Sequence, residues 1–389
     1  MENKKYSLLV IALYCYSGHV KAVIDHLKSK NPLVDLTLLT DKPEEMKDLL
    51  EDKSVKILEY DILTPSKIKW RWLRSMVIRY RQKKFFSHFS KGKKYDIVNI
   101  QFPKRYLSFV RKYLRSMSNN IVITPWGSDV LRQNRESLNQ LKGLYKEADY
   151  IATSPNTPLG RKIIEEFKVD SKIMVGNFFG SDVVDFAIEK GTSITQKEAK
   201  ERFGLAGRYV ITCGYNRKVP QRHKAIIAAI DKVKDQLPKN LTLLFPMTYA
   251  NPRTENDYVA ECKEDCKDRG LSALFITDFL TVEDIYKLRK ATDMFIHVQT
   301  TDASSASVQE YILCDKKIVH GSWIKYEELE NYKPLFYFPV DDMNNLAETI
   351  IKAFISDKIV IPKEVMELIK SHGWNTTSSL MNEFFMSIV

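Results

Sequence analysis

Several things are scarce in this chain, and each scarcity removes a class of protein. There are only 5 cysteines in 389 residues. They are spread over apolar stretches, so they do not form a disulfide framework and suit a reducing cytoplasm. Cys262 and Cys266 stand four apart on one helical stretch with no further ligands near them, so they read as structural and not as a metal site. No apolar run is long enough to span a membrane, and no transmembrane helix is expected. The apolar run 8–13 behind Lys4 and Lys5 is too short for a signal peptide and lacks a small-residue cleavage site, so it reads as a first buried strand. There is no repeat of solenoid period and no low-complexity segment. No Asp-x-Asp pair stands in a metal-site context, and no complete dinucleotide fingerprint follows the first strand. Between Lys67 and Lys94 there is no acidic residue at all.

What is present is an ordinary globular composition. The apolar fraction is 44%, and the length suits two domains. Short strand-like runs alternate with helical stretches throughout. Strands are expected at 6–14, 34–39, 55–60, 96–101, 121–124, 150–154 and 172–175. A second set is expected at 209–213, 241–247, 273–276, 294–298 and 317–319. Such alternation argues for parallel sheets in α/β layers, with a polar linker at 192–195. The formal net charge is +11, and it is concentrated in 67–94, among Trp70, Trp72, Phe85, Phe86 and Phe89. Basic residues with aromatics suit an anionic bilayer surface, where each Lys or Arg contributes about 1 kcal/mol. The same composition would serve nucleic acid, but no nucleic-acid motif accompanies it. The bland alternative is a solvated helix whose apolar side is core.

The stretch 293–321 organises the rest. It reads as strand, polar loop, helix, strand, with Ser304 or Ser305 capping the helix. Loops of this kind sit at the carboxyl ends of parallel strands, where open α/β proteins bind ligands. Asp302 in the loop and Glu310 in the helix can both face one crevice. A helix carboxylate can accept both hydroxyls of a ribose, and a loop acid is placed to accept sugar hydroxyls. The alternative is a capped helix with one solvated acid. Earlier in the chain, Gly18 and His19 form a strand-to-helix turn where backbone can approach a phosphate, or simply a structural turn. Trp126, Gly127 and Asp129 follow the fifth strand. Asp129 is a candidate general base or a helix N-cap. At 214–224, Arg217, Lys218, Arg222, His223 and Lys224 gather at one strand-to-helix loop. Such a loop can neutralise a diphosphate or be solvated.

The 302–319 segment resembles the nucleotide-binding signature of family 4 glycosyltransferases of GT-B fold. Glu310-Tyr311-Ile312-Leu313-Cys314 and Lys317-Ile318-Val319 match its second half. Asp302 stands in place of the usual first Glu, and Asp315 where Gly is usual. Asp278-Phe279-Leu280-Thr281 with Glu283, Leu288, Ala291 and Asp293 resembles the family's preceding helix, with Leu280 near the base. Pro125-Trp126-Gly127-Ser128-Asp129 resembles a His-Gly-x-Asp motif, with Trp126 in the His position. Asn177 to Asp182 with Phe186 resembles the segment that closes the first GT-B domain. Tyr215 stands at a usual Arg position, and Gln221 near a usual Lys. The run 245–249, ending in Tyr249, and the Gly214 to His223 spacing are more similar to bacterial 4-acetamido-4,6-dideoxygalactosyl (Fuc4NAc) transferases.

The resemblance implies an α/β GT-B fold, two Rossmann-like domains with parallel sheets facing a cleft. It places an acceptor domain at 1–187, a donor domain at 188–368 and a last helix, 369–389, crossing back. It implies a hexosyltransferase using a nucleotide-sugar and a saccharide or lipid-linked acceptor in bacterial surface polysaccharide assembly. No cofactor and no metal are expected. The implied location is cytoplasmic, peripheral at the inner membrane face through 67–94. Glu310 would hold the ribose. Asp302, Ser304 and Ser305 would hold sugar or phosphates. Gly18, Gly214, Arg217, Arg222, His223, Tyr249 and Leu280 would line the donor site, and Trp126, Gly127 and Asp129 the acceptor side. Asp129, Asp302 and His19 are the catalytic candidates. Rival readings are a nucleotide-sugar epimerase, a non-catalytic GT-B-like partner of another transferase and, last, a nucleic-acid-binding protein.

Overall fold

Twelve strands form two sheets, each of six parallel strands, in a computed structural model that describes residues 4–62, 70–248, 252–303, 305–330, 336–357 and 359–389. The first sheet contains β1 (Ser7–Ala12), β2 (Asp35–Thr40), β3 (Lys56–Glu59), β4 (Ile97–Gln101), β5 (Asn120–Thr124) and β6 (Tyr150–Ile151). The second contains β7 (Tyr209–Cys213), β8 (Leu241–Pro246), β9 (Ala273–Ile276), β10 (Met294–His297), β11 (Lys317–Gly321) and β12 (Tyr337–Val340). Continuous apolar runs make the central strands because parallel strands are covered by helices on both faces. Thus β1 and β10 are buried along nearly their whole length.

The strand orders are β3-β2-β1-β4-β5-β6 and β12-β11-β10-β7-β8-β9. Each order reverses once, between β1 and β4 and between β7 and β10. At such a reversal the two adjoining loops leave in opposite directions and open a crevice at the carboxyl ends. The segments after β1, β4, β7 and β10 are therefore the ones the topology places at a ligand-binding position.

The chain divides into two compact units, 1–179 with 375–389, and 180–374. The first break comes earlier than 187 because the helix Asp182–Glu189 sends Val184 into the core around Leu205, Phe295 and Tyr311. Its Val183 packs with Tyr286 and Cys314. Residues 375–389 belong to the first unit. In the helix Trp374–Ser387, Phe385 lies against Tyr6 and Phe178, and Phe384 against Tyr150 and Phe178. Asn120 Nδ2 donates to the Ile388 carbonyl at 2.8 Å, and the Lys4 ammonium donates to the Val389 carbonyl.

Two strand expectations fail. The stretch 172–175 is a short 3-10 turn, Ser171–Ile173, followed by a single bridge from Met174 to Ile151. The Asp170 side chain accepts from the Lys172 N–H and closes the turn before a ladder can start. Conversely, β12 was not expected. It holds Pro339 and lies at the edge of its sheet, where a missing N–H costs no ladder bond. The cysteines are unpaired, and burial pushes the Cys262 and Cys266 thiols up to about 11 and about 12, as structural thiols require.

Because Phe385 is fully enclosed within the first unit, Phe385→Ala should cost about 3–5 kcal/mol. Thermal melting of the full chain should show an early transition, and an unchanged melting curve would mean the last helix is not held as described.

Candidate functional site

The site elements in the first unit follow β1, β4 and β5. Tyr14 and Phe102, just past the ends of β1 and β4, both have positive φ, 53° and 51°. Non-glycine residues adopt this conformation only when their surroundings enforce it, and it concentrates at functional sites. Gly18 lies in the first turn of the helix Ser17–Lys30, and a Cβ there would come within 2.6 Å of the Tyr16 ring. The glycine thus serves the close approach of Tyr16. His19 stands edge-to-face with Tyr16, Trp126 and Phe179, at centroid distances of 5.1, 5.1 and 5.3 Å. Trp126 is fixed from below by a buried polar chain. Its indole N–H donates to Gln101 (2.9 Å), Gln101 donates to Asn99 (2.6 Å), and Asn99 donates to Thr124 (2.9 Å). The Trp in the expected His position therefore contributes a wall, and the half-buried imidazole of His19 stands against it.

Asp129 is the candidate general base or helix N-cap. It is only 2% exposed, and its Oδ1 accepts the Trp126 N–H at 2.9 Å. Its Oδ2 is enclosed without a hydrogen-bond partner. Gly127, with φ 98°, is the N-cap of the helix Ser128–Leu131, so Asp129 is not the cap either. The carboxylate clasps its own loop. Burial raises its pKa to about 7, because enclosure disfavours the charged form.

In the second unit, Arg217, Arg222, His223 and Lys224, which follow β7, do not form one cluster. Arg217 is buried, and its guanidinium donates to the Met247 and Thr277 carbonyls at 2.7 and 2.9 Å, joining the ends of β8 and β9. Lys224 turns outward to Glu261 at 2.6 Å. Arg222, with φ 62°, lies over the Trp323 ring at 5.0 Å. His223 begins the helix His223–Val233 and is fully buried. Burial pushes its pKa down to about 3, so it is a neutral ring and not a cation. Its Nδ1 is 3.3 Å from the Tyr258 hydroxyl, and its Nε2 has no hydrogen-bond partner. Gly214, φ 64°, lets the loop pass, since a Cβ would stand 2.8 Å from both His223 Nε2 and Gln221 Oε1.

The loop after β10 carries Asp302, whose Oδ2 accepts from the Tyr326 hydroxyl at 2.8 Å and lies 3.2 Å from His297 Nε2. Its Oδ1 accepts the Ala303 N–H at 2.8 Å. Ser305 is the N-cap of the helix Ala306–Leu313 and accepts from the Val308 N–H. Glu310 has different partners. Its Oε2 accepts from Arg289 Nε at 3.0 Å and its Oε1 from the Ser181 hydroxyl at 2.9 Å, all buried. The two acids are held by separate sets of side chains. Asp315, in a usual Gly position, has φ 56°, which explains the preference for Gly there. Leu280 packs against the core around Phe295 and Tyr311. Tyr249 and Ser304 lie outside the described residues. Sequence reasoning missed Ser181, Arg289, His297 and Tyr326, whose relevance comes only from where the chain brings them. Among the described residues, no group of three or more His, Cys, Asp or Glu side chains is arranged to hold a metal ion.

Residues 8–155 match the protein family described as Glycosyl transferase 4-like. Solved structures are similar over nearly the whole chain. Anabaena HepE in complex with UDP and glucose is 16% identical, with 98% of this chain and 100% of that chain covered and a TM-score of 0.70. A glycosyltransferase from Rickettsia africae is 14% identical, covering 99% and 98%, with a TM-score of 0.68. Sucrose-phosphate synthase from Thermosynechococcus elongatus is 11% identical, covering 98% and 99%, with a TM-score of 0.73. No curated protein matches the chain in sequence. The fold is GT-B, two Rossmann-like units.

The enclosed Asp129 generates a pH prediction. A folded pKa near 7 against an ordinary unfolded value of about 3.9 means the folded state binds the extra proton between those limits. The contribution is full below the unfolded value and is lost as pH rises, by up to about 1.4 kcal/mol per unit. Asp129→Asn removes the ionisation. Its melting temperature relative to wild type should therefore rise between about pH 4 and pH 7 and level off above, and a constant offset would show an ordinary carboxylate.

Proposed function

We propose that the protein is a glycosyltransferase that moves a sugar from a nucleotide-sugar to a saccharide or lipid-linked acceptor in bacterial surface polysaccharide assembly. The observation that carries this reading is the loop–helix unit 298–313. It sits after β10 at the strand-order reversal, with an ordered carboxylate and a capped helix N-terminus. The glycosyl transferase 4-like match and the GT-B fold support it. The second unit is assigned the donor. N-termini of the helices His223–Val233 and Ala306–Leu313 present N–H groups suited to a diphosphate, and Arg222 adds charge. The neutral His223 ring contributes as a hydrogen-bond donor. Each Glu310 oxygen has one described donor and keeps acceptor capacity for ribose hydroxyls.

In the reaction, the bond from the sugar's anomeric carbon to the diphosphate breaks and a bond to the acceptor oxygen forms. The diphosphate takes the electron pair, and positive groups and helix termini stabilise it. The acceptor proton goes to a base if the configuration is inverted, as the Fuc4NAc transferase resemblance implies. His19 fits that role better than the enclosed Asp129.

The acceptor reading draws on the helix Arg71–Phe89. Phe86, Phe89 and Gln82 face inward, while Trp72, Met76 and Tyr80, each four residues apart, are 62%, 56% and 66% exposed. Trp70, 66% exposed, stacks on Trp72 at 6.3 Å. Exposed Arg74, Arg79, Arg81, Lys83 and Lys84 flank this stripe. An aromatic stripe among cations fits the headgroup region of an anionic bilayer. Lys67 to Lys69 lie outside the described residues. No described helix is long and apolar enough to cross a membrane.

A thermal-shift panel of nucleoside diphosphates and their sugars tests the donor assignment. One nucleotide class at about 100 times its Kd should stabilise the protein by about 2.7 kcal/mol, and Glu310→Gln should lose most of the shift. No stabilisation by any nucleotide would remove the assignment. Stabilisation without turnover would favour the non-catalytic partner, and product from donor alone would favour the epimerase. For the membrane reading, sedimentation with phosphatidylglycerol vesicles should pull the protein down and phosphatidylcholine vesicles should not. Trp72→Ala with Tyr80→Ala should weaken the effect, and equal binding to both vesicle types would count against it.

A further inference from the structure

Three tyrosines meet at the carboxyl end of the first sheet. Tyr14 follows β1, Tyr60 follows β3, and Tyr106 lies in the 3-10 turn Arg105–Phe109 after β4. The Tyr60 and Tyr106 rings are nearly parallel, with centroids 6.3 Å apart. Tyr14 stands edge-on to both, at 6.3 and 6.1 Å. Its N–H donates to Asp41 Oδ1 at 2.6 Å, which helps to hold its positive φ. The helix Arg71–Phe89 supplies Phe85, edge-on to Tyr60 at 5.0 Å, and the enclosed Gln82. Tyr60 is 3% exposed and Tyr14 is 48% exposed, so Tyr14 is on the solvent side of the group.

The polar atoms of this group are not satisfied. The Tyr60 hydroxyl, the Tyr106 hydroxyl and Gln82 Oε1 are each enclosed without a hydrogen-bond partner among the described residues. Gln82 is near enough to act on the Tyr60 phenol, but the two do not meet along a hydrogen bond. Tyr60 and Tyr106 each feel Tyr14 and Asp41, and Tyr106 feels Tyr60, so the hydroxyls face a common region. Burial pushes both phenols above their ordinary range, and both remain protonated. Enclosed polar groups without partners are uncommon in folded proteins, and several in one place call for a partner from outside the chain.

The chemistry of the three groups selects that partner. Each phenol can give one hydrogen bond and accept others, whereas Gln82 Oε1 only accepts. A carboxylate or a phosphodiester offers acceptors alone and would leave Gln82 unmet. The Asp41 carboxylate beside the phenols also repels an anion. Lys42 and Lys104, after β2 and β4, are directed to Glu45 at 3.4 Å and over the Phe102 ring at 4.0 Å. A sugar hydroxyl both gives and accepts, and the C–H face of a sugar ring suits an aromatic wall such as Tyr14. We propose that Tyr60, Tyr106 and Gln82 form a subsite for a neutral saccharide unit, with Tyr14 as its stacking wall, and that this unit belongs to the acceptor. The acceptor role rests on the glycosyltransferase reading above, whereas saccharide binding here does not. Gln82 ties the subsite to the helix that exposes Trp72, Met76 and Tyr80. A lipid-linked acceptor lying along that helix would bring its sugar to this point.

The test uses the full chain with Tyr60→Phe and Tyr106→Phe, which keep the rings and remove the unmet hydroxyls. Both variants should melt no lower than wild type, because no hydrogen bond within the chain is lost. The probes are octyl glycosides of glucose, galactose, mannose and N-acetylglucosamine below their micellar concentrations, followed by saturation-transfer NMR. At least one should bind wild type, and each substitution should weaken it about two- to tenfold, as loss of one neutral hydrogen bond does. Octyl phosphate has the same tail, and its binding should not respond to the substitutions. A lower melting temperature in both variants would show hydroxyls bonded inside a closed core and overturn the proposal. So would the absence of glycoside binding, or glycoside binding that the substitutions leave unchanged. A response of octyl phosphate in place of the glycosides would assign the subsite to an anion and overturn the saccharide class. UDP affinity, measured on the same proteins, should be unaffected, and absence of UDP binding with glycoside binding intact would count against the donor reading alone.

Discussion

The reversal of strand order within each sheet is the constraint on which the remaining structure depends. A parallel sheet wound outward from its middle leaves two neighbouring strands whose following loops diverge. In the first unit these are β1 and β4, and in the second β7 and β10. The unusual backbone and buried polar residues collect there. Tyr14 and Phe102 hold positive φ, Gly214 passes between Gln221 and His223, and Asp302 is held by the Tyr326 hydroxyl.

The second unit shows how a buried charge is made tolerable. Glu310 and Arg289 are both enclosed, and such a pair is stable only when its remaining hydrogen-bonding capacity is met. Here Ser181 donates to the carboxylate oxygen that Arg289 leaves open, while Tyr311 and Ser307 accept from the guanidinium, at 2.9 to 3.1 Å. The arrangement fixes Glu310 before any ligand arrives. Ser181 also shows why the break between units precedes the helix Asp182–Glu189, because that segment supplies part of the second unit's polar core.

Charge in this chain has been sorted by burial. The cations after β7 look alike in the sequence, yet each meets a different fate. Arg217 ties two strand ends, His223 loses its charge to burial, Lys224 faces solvent and Arg222 lies on Trp323. The helix Arg71–Phe89 keeps its cations in solvent beside an exposed aromatic stripe.

The sequence by itself determined the α/β alternation, ten of the twelve strands to within a few residues and a short sixth strand, together with a serine cap at 304 or 305. These are set by local periodicity and capping, which act over a few residues. It also pointed to the loops after β7 and β10, because a polar loop between an apolar strand and an amphipathic helix is a local signal. Tertiary structure alone decided which of their side chains reach solvent. Asp129 read as a base or a helix N-cap and is enclosed. His223 read as a cation and is neutral. Ser181, Arg289, His297 and Tyr326 carried no local signal, because their partners lie from 5 to 129 residues away along the chain. Burial and hydrogen-bond partnership are properties of the packed chain, and they set charge state and orientation. Residue type and spacing fix only which groups are available to be so placed.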